Sequence, residues 1–395
     1  MPTAAASAPR GSARAGVLGA AALAAEVTDE LVVGTVRDVH GAVGRRVCSV
    51  IRRLGAGTEV PASHGRGASV VYAGVGAGLG ATARALRTAD RRGVGTRLED
   101  TARGRFLVAA VNGFIGDRLA DEHPDLAIEL SARVGGRDVP CEPGSLAAAY
   151  PGATGDVVVF LHGLGESDES WQRHAEERGG GYADRLAAEG RWTPVVLRAN
   201  TGLPIAANGV ALAGLLDDLV AHWPVPVRRI ALVGHSMGGL IVRAACAVVT
   251  DAPTRWNRLV TDVVTLGTPH LGAPLERTVH AGARVLGLLP ESAPFGRILE
   301  YRSVGILDLR GGLAPDVQHL PHARYRLVAA TLAATHRHPV SELFGDLLVR
   351  YPSAVGRPRR GRPLFPDADV LHVRGHHFDL LNHPEVDAAL RDWLS

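Results

Sequence analysis

Gly234-His235-Ser236-Met237-Gly238, extended by Gly239, stands between an apolar run, Ile230 to Val233, and a small-residue helix pattern that opens near Met237. A serine on such a strand-to-helix turn presents its hydroxyl from a strained backbone, and its neighbours two residues away must lack side chains to leave room for backbone and substrate. The chemistry this suits is nucleophilic attack on a carbonyl, with Ser236 as the nucleophile. His235 reads as a structural neighbour, directed away from the site when the serine is directed into it. A second apolar run, Val157 to Leu161, leads into His162-Gly163-Leu164-Gly165. The loop after such a strand supplies one oxyanion donor and the residue after the nucleophile supplies the other, so the backbone N–H groups of Leu164 and Met237 are the candidates.

A serine needs a base, and the base an orienting carboxylate, in the chain order Ser, then Asp or Glu, then His. With 17 histidines in the chain, position must discriminate. His377 comes just after the last apolar run, Val370 to Val373, and is the candidate base. His376 is its rival, His372 lies inside the strand pattern, and His383 lies farther on and reads as structural. For the acid, Asp346 in Gly345-Asp346-Leu347-Leu348-Val349 follows the run Tyr325 to Ala330 through a loop. A solvated loop carboxylate is its other reading. Asp369 precedes the final run and Asp379 follows the histidine closely, so neither stands at a carboxyl strand end.

The elements that must position these residues are written in the hydrophobic period. Short runs at Val157–Leu161, Pro194–Leu197, Ile230–Val233, Val263–Leu266, Tyr325–Ala330 and Val370–Val373 alternate with helical patterns near Tyr182–Glu189, Ile205–Trp223, Met237–Val249 and Val386–Leu394. Alternation of this kind predicts a doubly wound, mostly parallel sheet with its site at the carboxyl ends of the strands. Ahead of it, Leu126, Ile128, Leu130, Ala132 and Val134 alternate with polar residues and reach Gly135-Gly136, a predicted hairpin. Before residue 123 the patterns are helical: Thr28 to Leu54 carries one apolar stripe, Ala68 to Ala83 is uncharged and glycine-rich, and Arg105 to Ala120 is a third helix. The expected organisation is a helical accessory region, 1–122, and a catalytic domain, 123–395.

Composition narrows the partners. The chain has 395 residues, 46% of them hydrophobic, and a formal net charge of +3 with both signs interspersed, which argues against nucleic-acid binding. Cys48, Cys141 and Cys246 are scattered without metal-ligand or redox spacing, and Cys246 falls in an apolar helix as a buried thiol. The apolar run Gly16 to Ala25 behind Arg10 and Arg14 is alanine-rich and leads directly into a helix, which argues for a cytoplasmic protein over a secreted one. No window reaches the uninterrupted apolar length of a spanning helix. The glycine-rich segment suits packing against its neighbours better than a membrane surface, but a peripheral membrane contact through the N-terminal helices is kept as an alternative.

With Leu266-Gly267-Thr268-Pro269-His270-Leu271-Gly272-Ala273-Pro274 and His377-Phe378-Asp379-Leu380-Leu381-Asn382-His383-Pro384 included, the stretch from Asp156 to the C-terminus resembles bacterial lipase-like α/β-hydrolases, a group similar to GPI inositol-deacylases and triacylglycerol lipases. The resemblance implies an α/β-hydrolase fold with a cap between the sixth and seventh strands, about residues 275–323, in which Val279 to Leu289 is an apolar helix suited to a lid. It implies Ser236 as nucleophile, Asp346 as acid and His377 as base, no cofactor or metal, and a small-molecule ester or lipid substrate. One position departs from it: Leu347, where relatives often have glycine after the aspartate. The same triad serves thioesters and acyl transfer, and a non-catalytic binding module retaining the fold is the alternative of a different class.

Overall fold

The computed structural model describes residues 98–248, 256–273, 303–314, 317–333, 335, 338 and 345–395. The helices expected at Thr28–Leu54, Ala68–Ala83 and Val279–Leu289, together with Cys48, lie outside the described residues. The chain divides into two compact units, 1–105 with 293–298, and 106–292 with 299–395. Of the first, the described part is the 3-10 turn Leu98–Asp100 and the first residues of a helix, α1, Ala102–Glu122.

After α1 come β1 (Ser131–Val134), β2 (Arg137–Val139), α2 (Pro143–Ala149), β3 (Asp156–Leu161), α3 (Ala175–Arg178), α4 (Tyr182–Ala188) and β4 (Trp192–Arg198). Then follow α5 (Ile205–His222), β5 (Arg229–His235), α6 (Met237–Cys246), β6 (Val260–Leu266), α7 (Val304–Gly311), β7 (Arg324–Thr331), α8 (Tyr351–Ala354), β8 (Asp369–Arg374) and α9 (Pro384–Trp393). The strands form one eight-stranded sheet in the order β2-β1-β4-β3-β5-β6-β7-β8. β1 is antiparallel to β2 and to β4, and the remaining neighbours are parallel.

The continuous apolar runs exist because the sheet is covered on both faces. In β3, Val157, Val159 and Leu161 join a core with Leu212, Leu216 and Leu240 of α5 and α6, whereas Val158 and Phe160 face Trp171, Tyr182 and Leu390 on the other side. Helix α5 has an 18-residue window with a mean hydropathy of 1.3, so by length and composition it could cross a membrane. It carries Asp217 and Asp218, and it buries Leu212, Ala213, Leu216 and Leu219 in the core. At its contact with α6 a Cβ on Gly209 would stand 2.6 Å from that of Ala244.

The opening hairpin departs from expectation. Residues 124–126 form a 3-10 turn, and the strand is only Ser131–Val134. Within it Arg133 is buried and Val134 exposed, against the apolar-in alternation. The reason is an ionic cluster: the Arg133 guanidinium pairs with Asp138 across the hairpin and lies 3.4 Å from Asp168, and Arg198 of β4 reaches the same Asp138 at 3.1 Å. Gly135 and Gly136, both at positive φ, make the turn as expected.

Candidate active site

The loops at the carboxyl ends of β3, β5, β7 and β8 converge. Between β5 and α6, Ser236 has φ 52° and ψ −120°, outside the ordinary wells for a residue with a side chain. The turn is locked from beneath: the Ser236 amide donates to Leu266 O at 2.8 Å, and a Cβ on Gly238 would stand 2.4 Å from Leu161 O.

After β3, the His162 ring is fully buried. Its Nε2 accepts from the Ala199 amide at 3.0 Å, which leaves the hydrogen on Nδ1 to donate to Gly163 O at 2.9 Å. Burial lowers its pKa, so the ring is a neutral strut. Gly165, at φ 65°, donates to Thr201 Oγ1 at 2.9 Å. Leu164 lines the cavity above the serine, and Met237 is the first residue of α6. Among the described residues neither amide has a hydrogen-bond acceptor.

The segment 345–349 folds around the Asp346 carboxylate. Oδ1 accepts from the amides of Leu348 at 2.9 Å and Val349 at 2.7 Å, and Oδ2 accepts from His377 Nδ1 at 2.7 Å. The His377 amide also donates to Asp346 O at 3.0 Å, so ring and backbone of the histidine are both fixed by one residue. Asp346 is 1% exposed, which excludes the solvated-loop reading. Leu347 stands at φ 83°, a left-handed conformation that glycine adopts without strain, and it turns an exposed side chain outward. Burial acts to lower the His377 pKa, but the charge and hydrogen bond of Asp346, with a smaller contribution from Glu166, outweigh it and raise it.

The rival histidines are placed elsewhere. His376 pairs with Asp379 at 3.0 Å, His372 bonds Thr331 Oγ1 at 2.7 Å, and His383 caps α9 by accepting from the Glu385 amide at 3.3 Å. Asp369 pairs with Arg326. Ser236 and His377 both line a cavity of about 450 Å³, whose walls are mostly apolar. With Nδ1 committed to Asp346, His377 has Nε2 left for the cavity.

Glu166 carries no sequence signal of a role beyond its nearness to His162-Gly163, and the reading above missed it. Its Oε2 accepts from the Gly163 amide at 2.7 Å and from His235 Nδ1 at 2.9 Å. Burial would raise this carboxyl, but the His235 ring and these hydrogen bonds hold it down to about 2. The His235 ring lies 4.9 Å from that of His377, with Nε2 3.4 Å from His377 O. His235 is thus directed away from the cavity, as expected, and links the loop after β3 to the loop after β8. Asn382, at φ 62°, anchors the latter: it donates to Trp171 O at 2.8 Å and Arg173 O at 2.7 Å and accepts from the Tyr182 amide at 2.7 Å.

Burial pushes the Cys246 thiol up to about 12 and that of Cys141 to about 11, so neither is a nucleophile at neutral pH. Among the described residues no group of His, Cys, Asp and Glu is arranged to hold a metal ion.

A protein-family model described as a PGAP1-like alpha/beta domain matches residues 215–283, from within α5 through the Ser236 turn and β6. No curated protein matches the chain. Among solved structures it is similar to the mature Bacillus licheniformis lipase BlEst2, at 18% identity and a TM-score of 0.42, over 68% of this chain and 97% of that one. The Pyrococcus furiosus esterase Pf2001 aligns at 18% identity and a TM-score of 0.38, over 62% and 84%. The NocB thioesterase domain, solved in covalent complex with a fluorophosphonate nocardicin G analog, aligns at 18% and 0.40, over 62% and 97%. These are loose likenesses, and the fold stands on the strand order and the strand-to-helix turn of this chain. With its mostly parallel eight-stranded sheet, flanking helices and a central segment matching a PGAP1-like alpha/beta domain, the chain has the α/β-hydrolase fold.

Proposed function

We propose that the protein is a serine hydrolase that cleaves carboxylic esters of acyl or lipid character, with Ser236 as nucleophile, His377 as base and Asp346 as its orienting acid. The observation that carries this is the 2.7 Å bond from His377 Nδ1 to a buried Asp346, beside a cavity that Ser236 and His377 line together. In the first step His377 Nε2 takes the Ser236 proton, Oγ bonds to the ester carbonyl carbon, and the oxyanion receives the amides of Leu164 and Met237. The tetrahedral intermediate expels the alkoxide, which takes the proton from His377. Water then adds to the acyl-enzyme, giving its proton to Nε2. The C–Oγ bond breaks, the acid leaves, and the proton returns to Oγ.

The mostly apolar walls favour an acyl group over a polar substituent, and about 450 Å³ lies within the range of sites for small organic ligands. Thioesters would react by the same steps. Hydrolysis of p-nitrophenyl esters from acetate to palmitate, with acyl thioesters in parallel, tests the reading against Ser236→Ala. Turnover should fall by about six orders of magnitude in the variant, and a fluorophosphonate should label the parent alone. Equal rates in parent and variant, or labelling that persists without the serine, would overturn it.

A further inference from the structure

We propose that helix α1, which precedes the sheet and belongs to no crossover within it, is the specificity wall of the acyl cavity, with Phe106, Ala110 and Phe114 setting the size of acyl chain accepted. The proposal rests on the serine-hydrolase reading for its substrate and on independent geometry for the wall. These three residues follow one another at four-residue spacing, so they share one helix face, and all three line the cavity that holds Ser236 and His377. Phe106 is 37% exposed and Phe114 8%, so the stripe runs from the mouth inward with its smallest side chain in the middle.

Four contacts fix the helix there. A Cβ on Gly113 would stand 2.7 Å from Gly165 Cα, so α1 lies backbone to backbone against the loop that carries Leu164. The helix kinks at Ile115, φ −135° and ψ 24°, and the carbonyls around the kink find partners outside it. Ser303 Oγ donates to Gly113 O at 2.8 Å, the Ser303 amide to Phe114 O at 3.0 Å, and Asn200 Nδ2 to Gly116 O at 2.9 Å. The wall is therefore tied both to the loop after β4 and to the start of α7, whose Leu309 lines the same cavity.

The test uses the full chain. Ala110→Leu should narrow the cavity and lower the ratio of kcat/KM for decanoate over acetate by about tenfold, whereas Phe114→Ala should shift the preferred p-nitrophenyl ester to longer chains. The same variants made with Ser236→Ala should change affinity for dansylaminoundecanoic acid, weaker for Ala110→Leu, a readout that needs no catalysis. Altered binding without any esterase activity or fluorophosphonate labelling would sink the serine reading and leave the wall standing. An unchanged ester profile and unchanged dansyl-acid affinity, in variants whose melting is that of the parent, would overturn the wall. Should either variant fail to fold, Phe106→Ala at the half-open mouth takes its place, with the same two readouts and a preference moved toward longer or bulkier acyl groups.

Discussion

His377, the proposed base, can take a proton only while its ring is neutral, and Asp346 holds its pKa above the ordinary 6.5. The sign follows: kcat/KM should fall as pH drops through that raised value, with its acid limb on the alkaline side of an ordinary imidazole. The charged and titratable groups around the ring are Asp346, His235 and Glu166 behind it. Asp346→Asn should move the limb to lower pH and reduce kcat by about 10⁴-fold. Glu166→Gln should move it in the same direction by less, because its influence is the smaller of the two. A limb that stays in place in both variants would remove these carboxylates from the account. At this scale the residues that the structure brings together were legible from order and strand ends: the serine's turn, the carboxylate at 346 and the histidine at 377. Glu166 was not, because a glutamate in a polar loop has no periodicity and its partner His235 lies 69 residues away. The departure at Leu347 was visible in sequence, and the structure gives it a meaning: a leucine occupies a left-handed position that glycine would adopt without strain.

Among the elements, helix and strand interiors were legible because apolar period reports burial directly. What an element packs upon is not written in its period. Helix α1 was recognisable from Arg105 onward as a helix, but nothing in the pattern says that Gly113 meets Gly165. Likewise the hairpin's apolar alternation concealed Arg133, whose burial depends on Asp138 and Asp168 rather than on its own type. The α1 contact gives a prediction opposite to helix propensity. An exposed Gly→Ala change inside a helix stabilises by about 1 kcal/mol, but Gly113→Ala would drive a Cβ to 2.7 Å from backbone. It should destabilise by about 1–3 kcal/mol in urea unfolding and lower kcat/KM as the loop carrying Leu164 shifts. A more stable Gly113→Ala protein with full activity would show that the helix and loop are not in contact.

At the scale of the unit that carries the sheet, segments far apart in sequence are joined by polar ties. Asn382 joins the loop after β8 to residues 171–173 and to the start of α4, and the Tyr182 hydroxyl donates to Leu380 O at 2.8 Å while accepting from the His383 amide at 2.7 Å. Asn382→Ala leaves three backbone groups without this partner and should destabilise the protein by about 3 kcal/mol or more, with esterase activity falling as the His377 loop loosens. A loss in urea unfolding well under that figure would mean the loop is held by its apolar contacts alone.

The strand-to-helix turn around Ser236 has one more consequence, for the descent of such sequences. A Cβ on Gly234, Gly238 or Gly239 would run into Gly239 N at 2.5 Å, Leu161 O at 2.4 Å or Thr268 Oγ1 at 2.0 Å. These clashes arise whether or not the hydroxyl between them does any chemistry. If Ser236, Asp346 and His377 do the proposed chemistry, a descendant that lost it would keep the glycines and be free to replace those three. In this architecture the glycines record the shape of the backbone, and the loss of the other three would mark a pseudoenzyme.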